Sequence, residues 1–217
     1  LSQICGIALN GESENTPIDV RAHQTFWLGA KTNLKGYNPT APDAVLPALA
    51  DISAYLYNDH NTDPLIKAAL VHYQFEMIHP FLDGNGRMGR LLITLFLASK
   101  KILHTPCLYI SAYLQRHRGT YYASLAKISK NNDWDTWISF FLRAVVEHSK
   151  ANASLLMKMT DLYEISKTQF AEATNSSLAM ELLDYLFAQP IFTIPNLINQ
   201  TKVKASKATL LLAVQKL

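Results

Sequence analysis

Cysteine and net charge are both scarce in this chain of 217 residues. Cys5 and Cys107 are its two cysteines, which are too few for a disulfide framework and typical of a reducing compartment. The formal net charge of +3 at pH 7 does not by itself indicate nucleic acid or a membrane surface as a partner. The longest apolar run, residues 91–98, is far shorter than the roughly 18 residues that span a bilayer. We therefore expect a globular, cytoplasmic protein, with no support for secretion or membrane insertion.

Glycine is also sparse, with eight residues in the chain, but three of them fall in the stretch HPFLDGNGRMGR at residues 79–90. Upstream, Asp63 as N-cap and Pro64 in the first turn predict the start of a helix. Downstream, the sequence RLLITLFLASKK is mostly apolar and predicts a buried helix. The polar stretch is therefore expected to be a loop held between two core helices.

The end of this loop has the features of an anion-binding site. The first amides of a helix have no partner within it and the helix dipole is positive there, so Gly84, Asn85 and Gly86 are expected to lie where an anion binds. Arg87 and Arg90 are three residues apart and share one face of the first turn. Each guanidinium can donate two hydrogen bonds to phosphate oxygens. The spacing therefore predicts a phosphate clamp.

Two more side chains in the loop add chemistry to this anion site. Asp83 is a hard oxygen donor suited to Mg²⁺ that arrives with a polyphosphate. His79 titrates near neutral pH and can accept a proton from a hydroxyl group. Taken singly, a GxG sequence, a His before Pro and two arginines on one helix face all have ordinary structural interpretations. Together in one loop, they indicate transfer of a phosphate-bearing group to a hydroxyl.

The stretch HPFLDGNGRMGR resembles HPFxDGNGRxxR, the signature of Fic-domain proteins, at every fixed position. The resemblance extends through Arg21 upstream and Tyr121 downstream, and covers residues 18–150. It implies a protein adenylyltransferase that moves AMP from ATP onto a Ser, Thr or Tyr hydroxyl and releases pyrophosphate, with His79 as general base. The implied cofactors are ATP and Mg²⁺, with Asp83 on the metal. The implied nucleotide-binding residues of the motif are Asp83, Gly84, Asn85, Gly86, Arg87, Met88, Gly89 and Arg90.

Two other parts of the site follow from the resemblance alone. The family's flap lies over the active site and aligns the hydroxyl-bearing segment of the target by strand-like pairing. Its counterpart here contains Leu34, Lys35, Gly36 and Tyr37, which are implied to face the nucleotide and the target. Tyr121 corresponds to a tyrosine that packs near the adenine. A plain surface loop and a core aromatic residue are the respective alternatives.

The first six residues resemble an inhibitory helix found in many Fic proteins. In that helix a Ser or Thr is followed four positions later by a Glu, which pairs with the second motif arginine, and then by Gly or Asn. In the sequence LSQICG, Leu1 and Cys5 occupy the Ser/Thr and Glu positions, and only Gly6 matches. Cys5 would then stand at a regulatory position without the inhibitory carboxylate, because a thiol cannot form a bidentate pair with Arg90. An ordinary surface segment is the alternative.

We predict an all-α fold, in which a Fic-type helical bundle with a small β-hairpin flap is followed by a small helix-turn-helix module resembling a winged helix without its wing. The predicted segments are an N-terminal segment at residues 1–20, the Fic domain at 21–172 and the module at 173–217. The candidate partners are ATP, a target protein docking on the flap, a second copy in a homodimer, and DNA through residues 176–217. The module offers DNA only a thin set of basic residues: Lys202, Lys204, Lys207 and Lys216.

Two classes of function compete for this sequence. One is the adenylyltransferase, and the other is a DNA-binding regulator or toxin–antitoxin-type partner whose Fic domain only binds nucleotide. The set of His79, Asp83, Asn85 and Arg90 favours the enzyme, because a regulator without chemistry does not need all four. Transfer of another phosphate-containing group and removal of AMP stay open. A Doc-type phosphotransferase is disfavoured, because that branch has Lys where this chain has Gly86.

Overall fold

The computed structural model describes residues 19–25, 38–174, 178–193 and 195–197. A 3₁₀ turn, Pro42–Ala44, precedes the first α-helix. The α-helices are α1 (Val45–Asn58), α2 (Pro64–Ile78), α3 (Asn85–Ser99), α4 (Ser111–Arg116), α5 (Arg118–Asn131), α6 (Trp134–Thr174) and α7 (Leu178–Ala188). All regular structure within the described ranges is helical, which confirms the predicted all-α fold.

Two predicted segments lie outside these ranges. The predicted flap residues 34–37 and the predicted inhibitory segment at residues 1–6 are both among the residues that the structure does not describe. In the part of the chain that the structure does describe, no helix combines the length and apolar character needed to cross a bilayer.

The chain divides into two compact units, which meet in sequence between Ser149 and Lys150. In the second unit, Leu182 and Leu183 of α7 are buried in a cluster with Phe170, and the Tyr163 hydroxyl donates to Asp184 Oδ1 at 2.6 Å. This helix ends at Ala188, two residues before Pro190. Residues 198–217 lie outside the described ranges, so the helix-turn-helix module and its boundary at residue 173 stay predictions.

The core of the first unit is built around α2. Trp137 of α6 is fully buried, and its indole N–H donates to the backbone carbonyl of Ala69 at 3.0 Å. Because a buried indole N–H needs an acceptor, this bond fixes α6 against the middle of α2. Tyr73, Ile93, Leu97, Leu125 and Phe141 are among the other members of this core.

A second cluster anchors the motif loop. Phe81 of the loop is buried with Phe75 and Ile78 of α2 and Met88 of α3. The rings of Phe75 and Phe81 lie 6.5 Å apart between centroids. The loop is therefore fixed at its centre by a core side chain, which holds the polar residues on either side in place.

The ends of the two helices that flank the loop form as their sequence predicts. Asp63 Oδ1 accepts hydrogen bonds from the amides of Leu65 at 2.8 Å and Ile66 at 3.4 Å, so this residue is the N-cap of α2. The next helix, α3, already begins at Asn85. The loop itself is therefore residues 79–84, shorter than the predicted loop, and both motif arginines are helical.

Candidate active site

His79 lies at the junction between α2 and the loop. It is the C-cap residue, in the left-handed conformation (φ 51°, ψ 60°), and its amide donates to the carbonyl of Phe75. A left-handed backbone is uncommon for a residue other than glycine. The conformation ends the helix and turns the chain sharply, which places the half-buried imidazole at the mouth of the loop.

Arg21 holds His79 in this position from a distant part of the chain. The guanidinium is only 3% exposed. Its Nε donates to the carbonyl of His79 at 2.8 Å and its Nη2 to that of Ile78 at 3.2 Å, while the Arg21 amide donates to the carbonyl of Pro80 at 2.9 Å. A cation here satisfies carbonyls left open at the end of a helix. In the sequence, Arg21 is marked only by the resemblance, and no local pattern there indicates its contact with His79.

The surroundings of His79 favour its neutral form. Burial lowers the pKa of the imidazole below its usual 6.5, and the nearby charge of Arg21 acts in the same direction. The backbone carbonyl of Glu76 opposes the shift without reversing it. At pH 7 the ring is therefore mostly unprotonated, which is the state that a general base requires.

Asn85 shapes the loop with its side chain. Its Oδ1 accepts from the amide of Phe81 at 2.8 Å, and its Nδ2 donates to the carbonyl of the same residue at 2.7 Å. The amide group is buried, so the part of Asn85 left for a nucleotide is its backbone N–H. The signal for this role is present in the sequence, since Asn readily bonds to nearby backbone groups in turns.

The start of α3 presents backbone amides, as predicted. Gly84 is the N-cap at φ 81°, a conformation in which a side chain is strained. The first helical bond runs from the amide of Met88 to the carbonyl of Gly84, so the amides of Asn85 and Gly86 have no partner within the helix. The Met88 side chain is buried in the core, so only its backbone is near the site.

Asp83 and Arg87 lie on the open side of the motif. Asp83 Oδ1 accepts from the amide of Gly84 at 2.6 Å, and its Oδ2 lies 3.5 Å from Arg87 Nη2. Their side chains are 85% and 48% exposed, respectively. Among the described residues, no cluster of three or more metal-ligating side chains exists. One open carboxylate suits Mg²⁺, which commonly takes one or two carboxylates together with substrate phosphates.

Arg90 lies beside Gly86, in the same part of α3 that Glu76 of α2 approaches. A Cβ added to Gly86 would lie 3.0 Å from Arg90 Nη1 and 3.8 Å from Glu76 Oε1. A Cβ added to Gly89 would lie 2.6 Å from Glu76 Oε1, closer than real contacts allow. The two glycines therefore provide the space in which Arg90 and Glu76 approach each other. Arg90 makes no hydrogen bond to any described residue.

Behind α3 lies a buried polar cluster, formed by His72, Glu76 and Tyr121. The Tyr121 hydroxyl lies 3.0 Å from His72 Nε2. Burial lowers the pKa of His72 to about 4 and raises that of Glu76 to about 7. Burial also raises the pKa of Tyr121 well above 10. His72 is fully buried in the core, and both it and Tyr121 are neutral at pH 7.

Tyr121 is placed in the core by this structure. Its side chain is 6% exposed, and its ring packs 5.9 Å from that of Trp137 between centroids. This matches the alternative of a core aromatic residue, and contact with an adenine stays a prediction. The flap residues Leu34, Lys35, Gly36 and Tyr37 and the regulatory position Cys5 lie outside the described residues.

The described part of the site thus has a neutral imidazole at the end of one helix and open backbone amides at the start of the next, with the loop of residues 79–84 between the two helices. In chemical terms, such an arrangement can place an anion beside a group that accepts a proton. Residues 7–97 match the model of the Fic/DOC family, a range that includes the complete motif. The chain is similar to the Fic/DOC family over this range.

Curated relatives of the chain include three adenylyltransferases. It is 37% identical to protein adenylyltransferase fic-1 of Caenorhabditis briggsae over 119 residues, which is 54% of this chain and 21% of that protein. The Caenorhabditis elegans protein of the same name is 35% identical over the same shares. A probable protein adenylyltransferase of Aquifex aeolicus is 33% identical over 109 residues, or 48% of this chain and 32% of that protein. The chain thus matches only about a fifth to a third of the length of these relatives.

Solved structures agree with the fold. The crystal structure of a Fic family protein from Desulfovibrio desulfuricans G20 has a TM-score of 0.60 and 25% identity, and the match covers 92% of this chain and 60% of that one. Fic-1 from Caenorhabditis elegans has a TM-score of 0.51 at 24% identity, covering 72% of this chain and 44% of that one. The second likeness supports the fold alone.

Proposed function

We propose that this chain is a protein adenylyltransferase, which transfers AMP from ATP to a Ser, Thr or Tyr hydroxyl of a target protein and releases pyrophosphate. The observation that carries the proposal is the junction of α2 and α3. There one short loop joins a neutral, half-buried His79 to the open amides of Asn85 and Gly86 at the start of α3. The curated relatives named as adenylyltransferases support the same activity.

The roles of the residues follow from their environments. The imidazole of His79 takes the proton of the target hydroxyl as that oxygen attacks the α-phosphorus, and the bond to the leaving pyrophosphate breaks. Arg87, Arg90 and the amides at the start of α3 hold the phosphates. Asp83 would hold Mg²⁺, which supplies positive charge against the developing negative charge of the leaving group.

Recognition of the target is assigned to the flap. The residues proposed to face the nucleotide and the target are Leu34, Lys35, Gly36 and Tyr37. Strand-like pairing with a flap reads mainly backbone, so it suits a hydroxyl-bearing segment in an extended conformation. This assignment, like contact of Tyr121 with the adenine, rests on the resemblance.

The remaining predictions rest on the sequence alone. DNA binding through residues 176–217 depends on a module of which residues 198–217 lie outside the described ranges. A homodimer and a cytoplasmic location likewise stay predictions. No described contact favours a DNA-binding regulator over the enzyme.

Mass spectrometry of the intact protein after incubation with ATP and Mg²⁺ tests the proposal. We expect self-modification that adds the mass of one AMP, because a surface hydroxyl of the enzyme itself can act as acceptor. The matched variants are His79→Ala, expected to lose the modification, and His60→Ala, which removes an exposed histidine and is expected to keep it. Addition of a single phosphate would show phosphoryl transfer instead, and equal modification of both variants would refute the role of His79.

A further inference from the structure

Glu76 is an acidic residue on α2 that the proposed chemistry does not use. It lies one turn before His79 and its side chain is only 12% exposed. Its Oε1 has no hydrogen-bond partner within the described residues, and the nearest ring nitrogen, His72 Nε2, is 3.9 Å away. Because His72 is neutral at pH 7, this contact is not an ion pair. A buried carboxylate with an open oxygen is uncommon and usually has a specific cause.

The Glu76 carboxylate and the Arg90 guanidinium both approach the space beside Gly86 of α3, where a side chain is absent. The point where a Gly86 Cβ would stand is 3.0 Å from Arg90 Nη1 and 3.8 Å from Glu76 Oε1. No ion pair of 4.0 Å or less joins Glu76 and Arg90 among the described contacts, yet the charge of Arg90 acts on the Glu76 carboxyl. The attraction therefore works across a short gap and leaves the hydrogen-bond donors of the guanidinium available.

We infer that Glu76 is a positioning residue, whose buried carboxylate orients the guanidinium of Arg90 so that its donors are held ready for the terminal phosphates of the nucleotide. The inference rests on the proposed function, since it presumes that Arg90 holds ATP. A charge fixed behind an arginine reduces the side-chain freedom that phosphate binding would otherwise have to remove.

A purely structural role fits the surroundings of Glu76 less well. Burial raises the pKa of this carboxyl to about 7, so the ionised form is destabilising for the fold. A neutral Gln of the same shape would serve the packing at least as well. His72 on α2 and Tyr121 on α5 are both neutral at pH 7, and Arg90 on α3 is the cation that acts on Glu76. Within the described part of the chain, the carboxylate therefore has one charged group to act on, the one proposed to bind phosphate.

The test compares Glu76→Gln with the parent at pH 8, where the parent carboxyl is mostly ionised. We expect the dissociation constant for ATP, measured by calorimetry, to rise about 10-fold, a typical coupling for neighbouring charged groups. In the transfer assay KM for ATP should rise while kcat at saturating ATP changes little. The midpoint of thermal unfolding should be equal to or above that of the parent. A residue important only for packing would instead lower that midpoint.

A double-mutant cycle with Arg90→Ala tells whether Glu76 acts through the arginine. In the Arg90→Ala background, Glu76→Gln should leave ATP affinity unchanged. The control is Glu147→Gln, which removes a carboxylate from an exposed site on α6 and should not alter ATP affinity. The inference is overturned if Glu76→Gln binds ATP like the parent, or weakens ATP equally in both backgrounds. In both cases the parent still binds ATP and the proposed function stands, whereas a parent that binds no ATP refutes both.

Discussion

The two sides of the motif at the start of α3 differ in solvent exposure and in the role of their residues. On the open side, Asp83 and Arg87 are largely in solvent and contact each other at 3.5 Å. On the closed side, Asn85 bonds to the backbone of Phe81, and Gly89 lies against His72 and Glu76. One twelve-residue motif therefore contains both the residues that build the loop and those available to a ligand.

Because of this difference, we expect substitutions on the closed side and on the open side of the motif to affect different properties. Loss of a closed-side residue should lower stability first, because buried groups lose partners or space. Loss of an open-side residue should leave the fold intact and affect only ligand binding, since exposed ion pairs contribute little to stability. Arg90 and His79 lie between the two cases, half-buried but with atoms open to a ligand.

The largest effect on stability is expected for Asn85→Ala. The change removes two hydrogen bonds and leaves the buried amide and carbonyl of Phe81 without partners. We expect a loss of roughly 2–5 kcal/mol in the free energy of unfolding, measured by chemical denaturation. Asp83→Ala is the open-side control and should change stability by less than about 0.5 kcal/mol. Equal losses for the two variants would contradict the division of the motif.

Glu76→Gln should change how stability depends on pH. The carboxyl pKa is raised from 4.5 to about 7 in the folded state, so the contribution of Glu76 to stability is fully present below pH 4.5 and is lost as pH rises through about 7. Removing the carboxyl removes a penalty of roughly 3 kcal/mol at pH 8. The variant should therefore be more stable than the parent at pH 8, and the gap should close by pH 4.5.

The difference in stability between Glu76→Gln and the parent separates the effect of Glu76 from that of His72, the other buried titrating group considered. The pKa of His72 is lowered to about 4, so its contribution to stability is lost as pH falls below 6.5. That loss occurs in both proteins and cancels in the difference. A gap that does not change between pH 5 and pH 8 would show that Glu76 is not buried as described.

A smaller effect is expected for Gly89→Ala, with Gly119→Ala as the matched control. The new methyl group at residue 89 would lie 2.6 Å from Glu76 Oε1 and 3.2 Å from the His72 ring. Overpacking of this kind costs about 1–3 kcal/mol. Gly119 is also helical, but its new methyl group would meet no atom within 4 Å, so Ala there should stabilise by about 0.5–1 kcal/mol. Thermal unfolding should show a lower midpoint for Gly89→Ala and a higher midpoint for Gly119→Ala than for the parent.

The smallest effect is expected at Cys5, on a segment outside the described residues. If this segment is the inhibitory helix, Cys5→Glu should place a carboxylate against Arg90 and lower self-modification a few-fold, and Cys5→Ala should change little. The rate of AMP incorporation in the two variants beside the parent decides the matter. Identical rates for Glu and Ala would mean that the segment does not reach Arg90.

The sequence predicts the local features of the site well. The N-cap at Asp63, the apolar helix after the motif and the open amides of Asn85 and Gly86 each follow from residues close together in the chain. These features depend on capping, glycine conformation and helical period, which are all short-range effects. They are also the features that the structure confirms.

Contacts between residues that are far apart in the sequence could not be predicted in the same way. Arg21 and His79 are 58 residues apart, and spacing alone gives no reason to bring them together. The sequence also does not predict that Glu76 is buried. Apolar residues occur on most sides of α2, so their pattern does not distinguish the buried face of this helix from the exposed one. Tyr121 is 49 residues from the His72 that it contacts. Such contacts depend on tertiary packing, which overrides local pattern.

The most direct test of the account measures ATP binding and AMP transfer separately in His79→Ala and Arg90→Ala. His79→Ala should lower the transfer rate roughly 10²–10⁴-fold and leave the dissociation constant for ATP nearly unchanged, because the base acts on the target hydroxyl. Arg90→Ala should weaken ATP binding itself, by roughly 10- to 100-fold for a charged hydrogen-bond partner. AMP transfer at the parent rate by His79→Ala would contradict the assignment of the base, and with it the central claim.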